Sequence, residues 1–190
     1  MRAERRFSQA IAEGDGISLI AQVADAAAAG AAEHDGAEGV TIETAVPGVR
    51  EATRLPILWR GLGAPSDAGM AGADACVLAV AEGGDEPGRL EERRAEVTEL
   101  GLECAVEVRD EEELQLVLDR LDPEIFVLSS HGGASLESVL SLLSDVPAGK
   151  LVVAEAGMLG REDLDELERA GVDAVILPGT ALGGLRGSAA

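Results

Sequence analysis

Residues 150–182 read KLVVAEAGMLGREDLDELERAGVDAVILPGTAL, and this stretch decides the fold. It holds two short apolar runs, LVVAEA and VDAVILP, on either side of one helical segment. Both runs are almost continuously apolar, the pattern of a strand covered on both faces. The helix between them opens at Arg161-Glu162-Asp163, with acidic side chains at the positive end of its dipole. It closes at Gly171, where a left-handed residue can stop it. Strand, helix, strand in this order implies a parallel pair joined by a crossover.

The pattern extends outward. AGADACVLAV, residues 71–80, is a weak repeat of AGVDAVILPG, residues 170–179. In each, a helix ends at Gly, an Asp follows, and an apolar strand begins. Eight strand candidates begin at Ile17, Gly39, Pro56, Asp74, Glu103, Glu124, Lys150 and Val172. The repeat joins the fourth to the eighth, half a barrel apart. Asp110 to Glu113 opens the helix after the fifth strand. Gly30, Gly72, Gly101 and Gly171 are expected helix stops. The expected fold is a (β/α)8 TIM barrel filling residues 1–190 as one domain. At 190 residues it is shortened. The tail GGLRGSAA predicts a truncated eighth helix. An open doubly wound sheet is the competing architecture, but no GxGxxG follows the first strand and no Walker loop is present.

Composition narrows the function classes. Aromatics make up 2% of the chain and apolar residues 46%, so the core is built from Ala, Val, Leu and Ile. No apolar run reaches the length of a membrane span, and Met1 to Phe7 is polar and basic, unlike a signal peptide. A cytoplasmic location is expected. The formal charge of -21 opposes binding to nucleic acid or anionic membranes. Cys76 and Cys104 lack metal-ligand spacing and read as reduced core thiols. Lys and Arg total 15, and Lys150 is the only lysine.

The segments GISLIAQV, RLPILWRG, AGADACVLAVA, GLECAVEVRDEEEL, EIFVLSSH and the opening stretch, in this order and spacing, resemble the indole-3-glycerol phosphate synthase family. GLECAVEVRDEEEL is the most specific match. The resemblance covers nearly the whole chain, with only the last part of the family's N-terminal extension, MRAERRFSQAIAEG. It implies the ring closure and decarboxylation of a carboxyphenylamino deoxyribulose phosphate in tryptophan biosynthesis, with no cofactor or metal. It places the site at the C-terminal ends of the strands.

By this resemblance, Glu107 matches the catalytic glutamate and Glu43 a second family glutamate. Arg60 stands where the general-acid lysine belongs. Arginine is a poor proton donor, though it can polarise a carbonyl or hold a carboxylate. Gln22 and Ala24 replace the glutamate and lysine that end the first strand. Ser129 and His131 stand at an asparagine and an arginine, followed by Gly132 and Gly133. Glu155 and Gly157 keep two of three residues of a Glu-Ser-Gly motif, with Ala156 in place of the serine. Gly179 and Thr180 resemble a phosphate-binding turn, preceded by Pro178. Lys150 begins its strand and so lies at the opposite face.

Three readings follow. The first is a synthase working with altered residues. The second is a non-catalytic barrel that keeps a phosphorylated small-molecule ligand. The third is another phosphate-barrel isomerase or lyase, but not a Schiff-base aldolase, since no lysine reaches the catalytic face. A truncated eighth helix would leave an apolar seam, and a homodimer or protein partner is expected there.

Overall fold

A computed structural model describes residues 6–13, 16–80, 88–129, 135–155, 157 and 159–186. Eight parallel strands close on themselves in sequence order: β1 (Ser18–Gln22), β2 (Gly39–Ile42), β3 (Ile57–Trp59), β4 (Ala75–Ala79), β5 (Glu103–Val108), β6 (Ile125–Leu128), β7 (Leu151–Glu155) and β8 (Ala174–Pro178). Closure is made where β1 pairs with β8, Ser18 opposite Ala174 through Gln22 opposite Pro178. The described helices are α1 (Arg6–Ala12), α2 (Ala26–His34), α3 (Val49–Ala52), α4 (Pro65–Met70), α5 (Arg89–Glu99), α6 (Glu111–Arg120), α7 (Leu136–Leu143), α8 (Arg161–Ala170) and α9 (Leu182–Arg186). The closed barrel is the expected fold, and the open sheet is ruled out.

Side chains alternate across each strand, so the residues form two cores. One lies inside the barrel and includes Ile20, Leu58, Val77, Ala105, Val127, Val153 and Ile176. The other lies between barrel and helices and includes Ile42, Trp59, Leu78, Val106, Leu128 and Leu177. Helix α1 belongs to the inner core, where Phe7 and Ile11 are buried. Glu103 enters the barrel at its lower end and receives the backbone N–H groups of Phe7 (2.7 Å) and Ser8 (3.2 Å). A buried carboxylate thus caps the first turn of the helix that plugs the barrel floor.

The internal repeat has a structural meaning. Asp74 Oδ2 accepts the N–H of Ile57 at 2.9 Å, and Asp173 Oδ2 accepts that of Val152 at 2.7 Å. Each Asp therefore pins the strand before its own, across equivalent junctions. Burial holds the Asp173 carboxyl above its ordinary range, opposed by the Val152 N–H. Gly72 and Gly171 sit at φ +70° and +100°, a conformation that disfavours a Cβ.

One expected helix stop is corrected. Gly30 lies within α2, which continues to His34 and is capped at Asp35, with Gly36 at φ +83°. Gly30 keeps a helical backbone beside α3, where an added Cβ would stand at ordinary contact distance, 3.5 Å, from Ala52 O. After β8, a 3₁₀ turn at Gly179–Ala181 leads into the five-residue α9, with Leu182 buried. The exposed large apolar side chains among the described residues are Leu62, Met70 and Leu100, away from the β8–β1 seam. Among the described residues Cys76 and Cys104 form no disulfide, and burial pushes the Cys104 thiol up to about 11. Among the described residues, no helix is long and apolar enough to cross a membrane.

Candidate functional site at the barrel mouth

Inward positions recur every second residue, so each strand delivers one inward side chain to its C-terminal end. Gln22, Glu43, Arg60, Glu107, Ser129 and Glu155 come from β1, β2, β3, β5, β6 and β7 in this way. Gln22 and Glu155 end their strands, and Glu43, Arg60 and Ser129 immediately follow theirs.

Arg60 is the hub. Its backbone N–H reaches Ile42 O at 2.8 Å, carrying the β2–β3 ladder one residue past β3. The guanidinium forks onto Glu155, Nη1 to Oε1 at 2.7 Å and Nη2 to Oε2 at 2.6 Å. Nη2 also donates to Glu107 Oε1 at 3.1 Å. Burial alone would lower the pKa of Arg60. The hydrogen bonds and charge of Glu155, joined by Glu107, overcome this and hold it above the usual guanidinium value. The Arg60 and Glu107 side chains are 10% and 11% exposed, against 34% for Glu155. Such a bidentate pair is strong and directional.

Glu107 has two more neighbours. Ser129 Oγ donates to its Oε1 at 2.7 Å. Arg109 Nη2 stands 3.6 Å from its Oε2, an ion pair longer than a hydrogen bond. Arg109 escaped the sequence reading. Its signal was available, because Glu107 and Arg109 are two apart and share the inward face of the chain leaving β5.

The approach of β3 to its neighbours depends on Gly61. A Cβ there would lie 2.4 Å from Trp59 Cζ2 and 2.5 Å from Glu43 O. Trp59 turns outward and is buried, and among the described residues its Nε1 has no hydrogen-bond partner, as is also true of Arg60 Nε.

On the opposite side of the mouth, Gln22 Nε2 donates to Glu43 Oε1 at 2.8 Å. These two residues, with Val23, Ala24, Ala28, Ala31, Ala32, Asp35, Thr44, Pro178, Gly179 and Thr180, line a cavity of about 630 Å³. The expected phosphate turn, Gly179 and Thr180, therefore faces the alanines of α2 and two carboxylates. A Cβ on Gly179 would stand 3.0 Å from Gln22 O, so the turn lies tightly against β1.

Of the remaining positions, Gly157 and Lys150 join neither group. Gly157 follows β7 with open space around it. His131, with Gly132, Gly133 and Ala156, lies outside the described residues. Lys150 pairs with Asp122 at 2.6 Å, at the end of the barrel away from the mouth. Among the described residues no group of His, Cys, Asp and Glu is arranged to hold a metal ion.

Comparison with known proteins bears on this arrangement. The model of the family described as indole-3-glycerol phosphate synthase matches residues 66–186. The chain is similar to indole-3-glycerol phosphate synthase of Salinibacter ruber, 38% identical over 136 residues, covering 63% of this chain and 48% of the relative. It is 32% identical over 138 residues to that of a Geobacillus species, covering 68% of this chain and 52% of the relative. The chain thus spans about half the length of the curated relatives it matches. Among solved structures, N-acetylmannosamine-6-phosphate 2-epimerase from Clostridium perfringens has a TM-score of 0.66 at 14% identity, covering 88% of this chain and 87% of that one. That likeness concerns the fold alone.

Proposed function

Because the chain belongs to the indole-3-glycerol phosphate synthase family, we propose that it is a ligand-binding barrel of that family whose ring-closing step has lost its general acid. One observation carries this reading. The position that the resemblance gives to the proton-donating lysine is Arg60, and its guanidinium is fixed across Glu155 and Glu107. A guanidinium does not release its proton near neutral pH. The two carboxylates favour its charged form further. Both of its terminal nitrogens donate to protein carboxylates. Loss of a general acid costs about 10²- to 10⁴-fold in rate.

The second reading is a working synthase of tryptophan biosynthesis. It is favoured by Glu107, which is kept, buried, and oriented by the Ser129 hydroxyl. In that case Glu107 handles the proton in the dehydration, and Arg60 polarises the ketone without donating.

One assay separates the two. Purified protein is given the carboxyphenylamino deoxyribulose phosphate, and indole product is followed by fluorescence. The expected result is turnover no greater in the unaltered protein than in Glu107→Gln, with Arg60→Lys raising it by about 10²-fold or more. Turnover in the unaltered protein that Glu107→Gln abolishes would overturn the non-catalytic reading in favour of the synthase.

A further inference from the structure

The outer layer is thin between β2 and β4. Helices α3 and α4 have four and six residues, against eight to eleven in α2, α5, α6, α7 and α8. The large apolar side chains left exposed among the described residues all stand here. Leu62, 91% exposed, precedes α4, and Met70, 79% exposed, ends it. Leu100 packs beside the same helix, its Cδ2 3.9 Å from where a Cβ on Gly69 would stand. Met70 and Ala45 line two neighbouring hollows. One, of about 490 Å³, is also lined by Trp59 and Leu62, and the other, of about 400 Å³, by Val46 and Pro47. Charge is thin here too. Residues 43–80 and 88–100 hold six arginines and eight acidic residues, a formal charge of -2 on a chain of -21.

We infer that this face is the contact between two copies of the chain, a homodimer closed by a two-fold axis beside α4. Two observations name a second copy as the occupant. The first is charge. Two chains of -21 repel each other, and the nearly neutral side is where their approach costs least. A basic partner would instead be drawn to the more acidic remainder of the surface. The second is shape. Protruding side chains and hollows sit side by side on one surface, so a two-fold rotation sets Leu62 and Met70 of each copy against the hollows of the other. Methionine is flexible enough to fill an irregular hollow. The contact covers the apolar surface that α3 and α4 are too short to shield. It lies away from the β8–β1 seam, where Leu182 is already buried.

The test is sedimentation equilibrium of the whole chain from about 1 to about 300 µM, at about 50 mM and about 500 mM salt. The mean mass is expected to rise with concentration from 19.4 kDa toward twice that value. Salt is expected to tighten the dimer several-fold, because it screens the repulsion between two acidic chains. Trp59 is the chain's one tryptophan and lines the larger hollow, so its emission should change over the same concentrations. Leu62→Glu and Met70→Glu, both at exposed positions, are each expected to weaken the dimer at least about tenfold by burying a charge. Met70→Leu should keep it, and circular dichroism checks that each variant is folded. A mass of 19.4 kDa at every concentration and both salts overturns the inference. So does a dimer that survives Leu62→Glu and Met70→Glu, which would move the contact elsewhere, or one that salt dissolves, which would mean an ion-paired surface.

Discussion

The two sides of the barrel mouth are built from the same strand positions and do opposite things. On the β3–β5–β7 side, Arg60 gathers Glu107 and Glu155 into a network in which both terminal nitrogens are engaged and most of the surface is buried. On the β8–β1–β2 side, Gln22 and Glu43 make one hydrogen bond beside an open cavity. The first side is a closed ion network, and the second is an open wall with a single side-chain hydrogen bond between its polar residues. Equivalent barrel positions can therefore become structure or binding surface. What decides is whether charges of opposite sign are both supplied by the strands.

This comparison can be broken most directly by removing its hub. Arg60→Ala leaves two carboxylates at the mouth without their cation. It is expected to cost about 3 kcal/mol of stability, the lower end for breaking a buried pair, since Glu155 is partly solvated. Gln22→Ala on the other side removes one exposed hydrogen bond and is expected to cost less than about 1 kcal/mol. Urea unfolding of both variants measures the difference, and equal losses would mean that the two sides are not distinct in energy.

A smaller contrast comes from the glycines that seat each side. Gly61→Ala drives a methyl into the Trp59 ring and the Glu43 carbonyl, at 2.4 and 2.5 Å. About 2 kcal/mol of destabilisation is expected from such overpacking against backbone and a buried ring. Gly179→Ala meets only Gln22 O, at 3.0 Å, and about half that loss is expected after a small shift of the turn. Thermal unfolding of the pair checks the order.

The smallest effect sharpens the comparison through pH. Arg60 is held above its ordinary value, so its stabilisation is complete below that value and persists through moderate alkali. Cys104, on β5, is also raised, from 9.0 to about 11, by burial that outweighs the nearby charge of Arg94. A raised thiol contributes stability that is full below pH 9.0 and is lost as pH climbs through about 11, because the unfolded chain ionises first. The unfolding free energy measured in urea should therefore fall between about pH 9 and about pH 11, by at most about 1.4 kcal/mol per unit from this group. Cys104→Ala should flatten that part of the fall. An unchanged slope in the variant would place the alkaline loss elsewhere, and the ion network would become the next suspect.

Much of the fold was legible in local pattern. The eight apolar runs became eight strands because doubly covered strands have almost no polar positions to confuse the signal. The repeated Gly-x-Asp junctions marked two equivalent places, and Asp74 and Asp173 pin their preceding strands alike. Gly30 was misread because glycine ends a helix only where the chain turns, and here the left-handed residue is Gly36. At the site, the resemblance pointed to Glu107, Arg60 and Glu155, and the structure brings them together. Arg109 was missed because it lies one step past β5, although it shares the inward face with Glu107 two residues before it.

By itself, the sequence determined the eightfold alternation, the aliphatic core, the family and the replacement of lysine by Arg60. These follow from periodicity, side-chain volume and residue identity, which are properties of the chain read in order. Only the tertiary structure decided which charges meet. Closure of the barrel carries Gln22 to Glu43 beside the cavity and Arg60 to Glu107 and Glu155. The energy of a charge depends on distance and burial, and both arise only when residues 95 apart, such as Arg60 and Glu155, are brought to 2.6 Å.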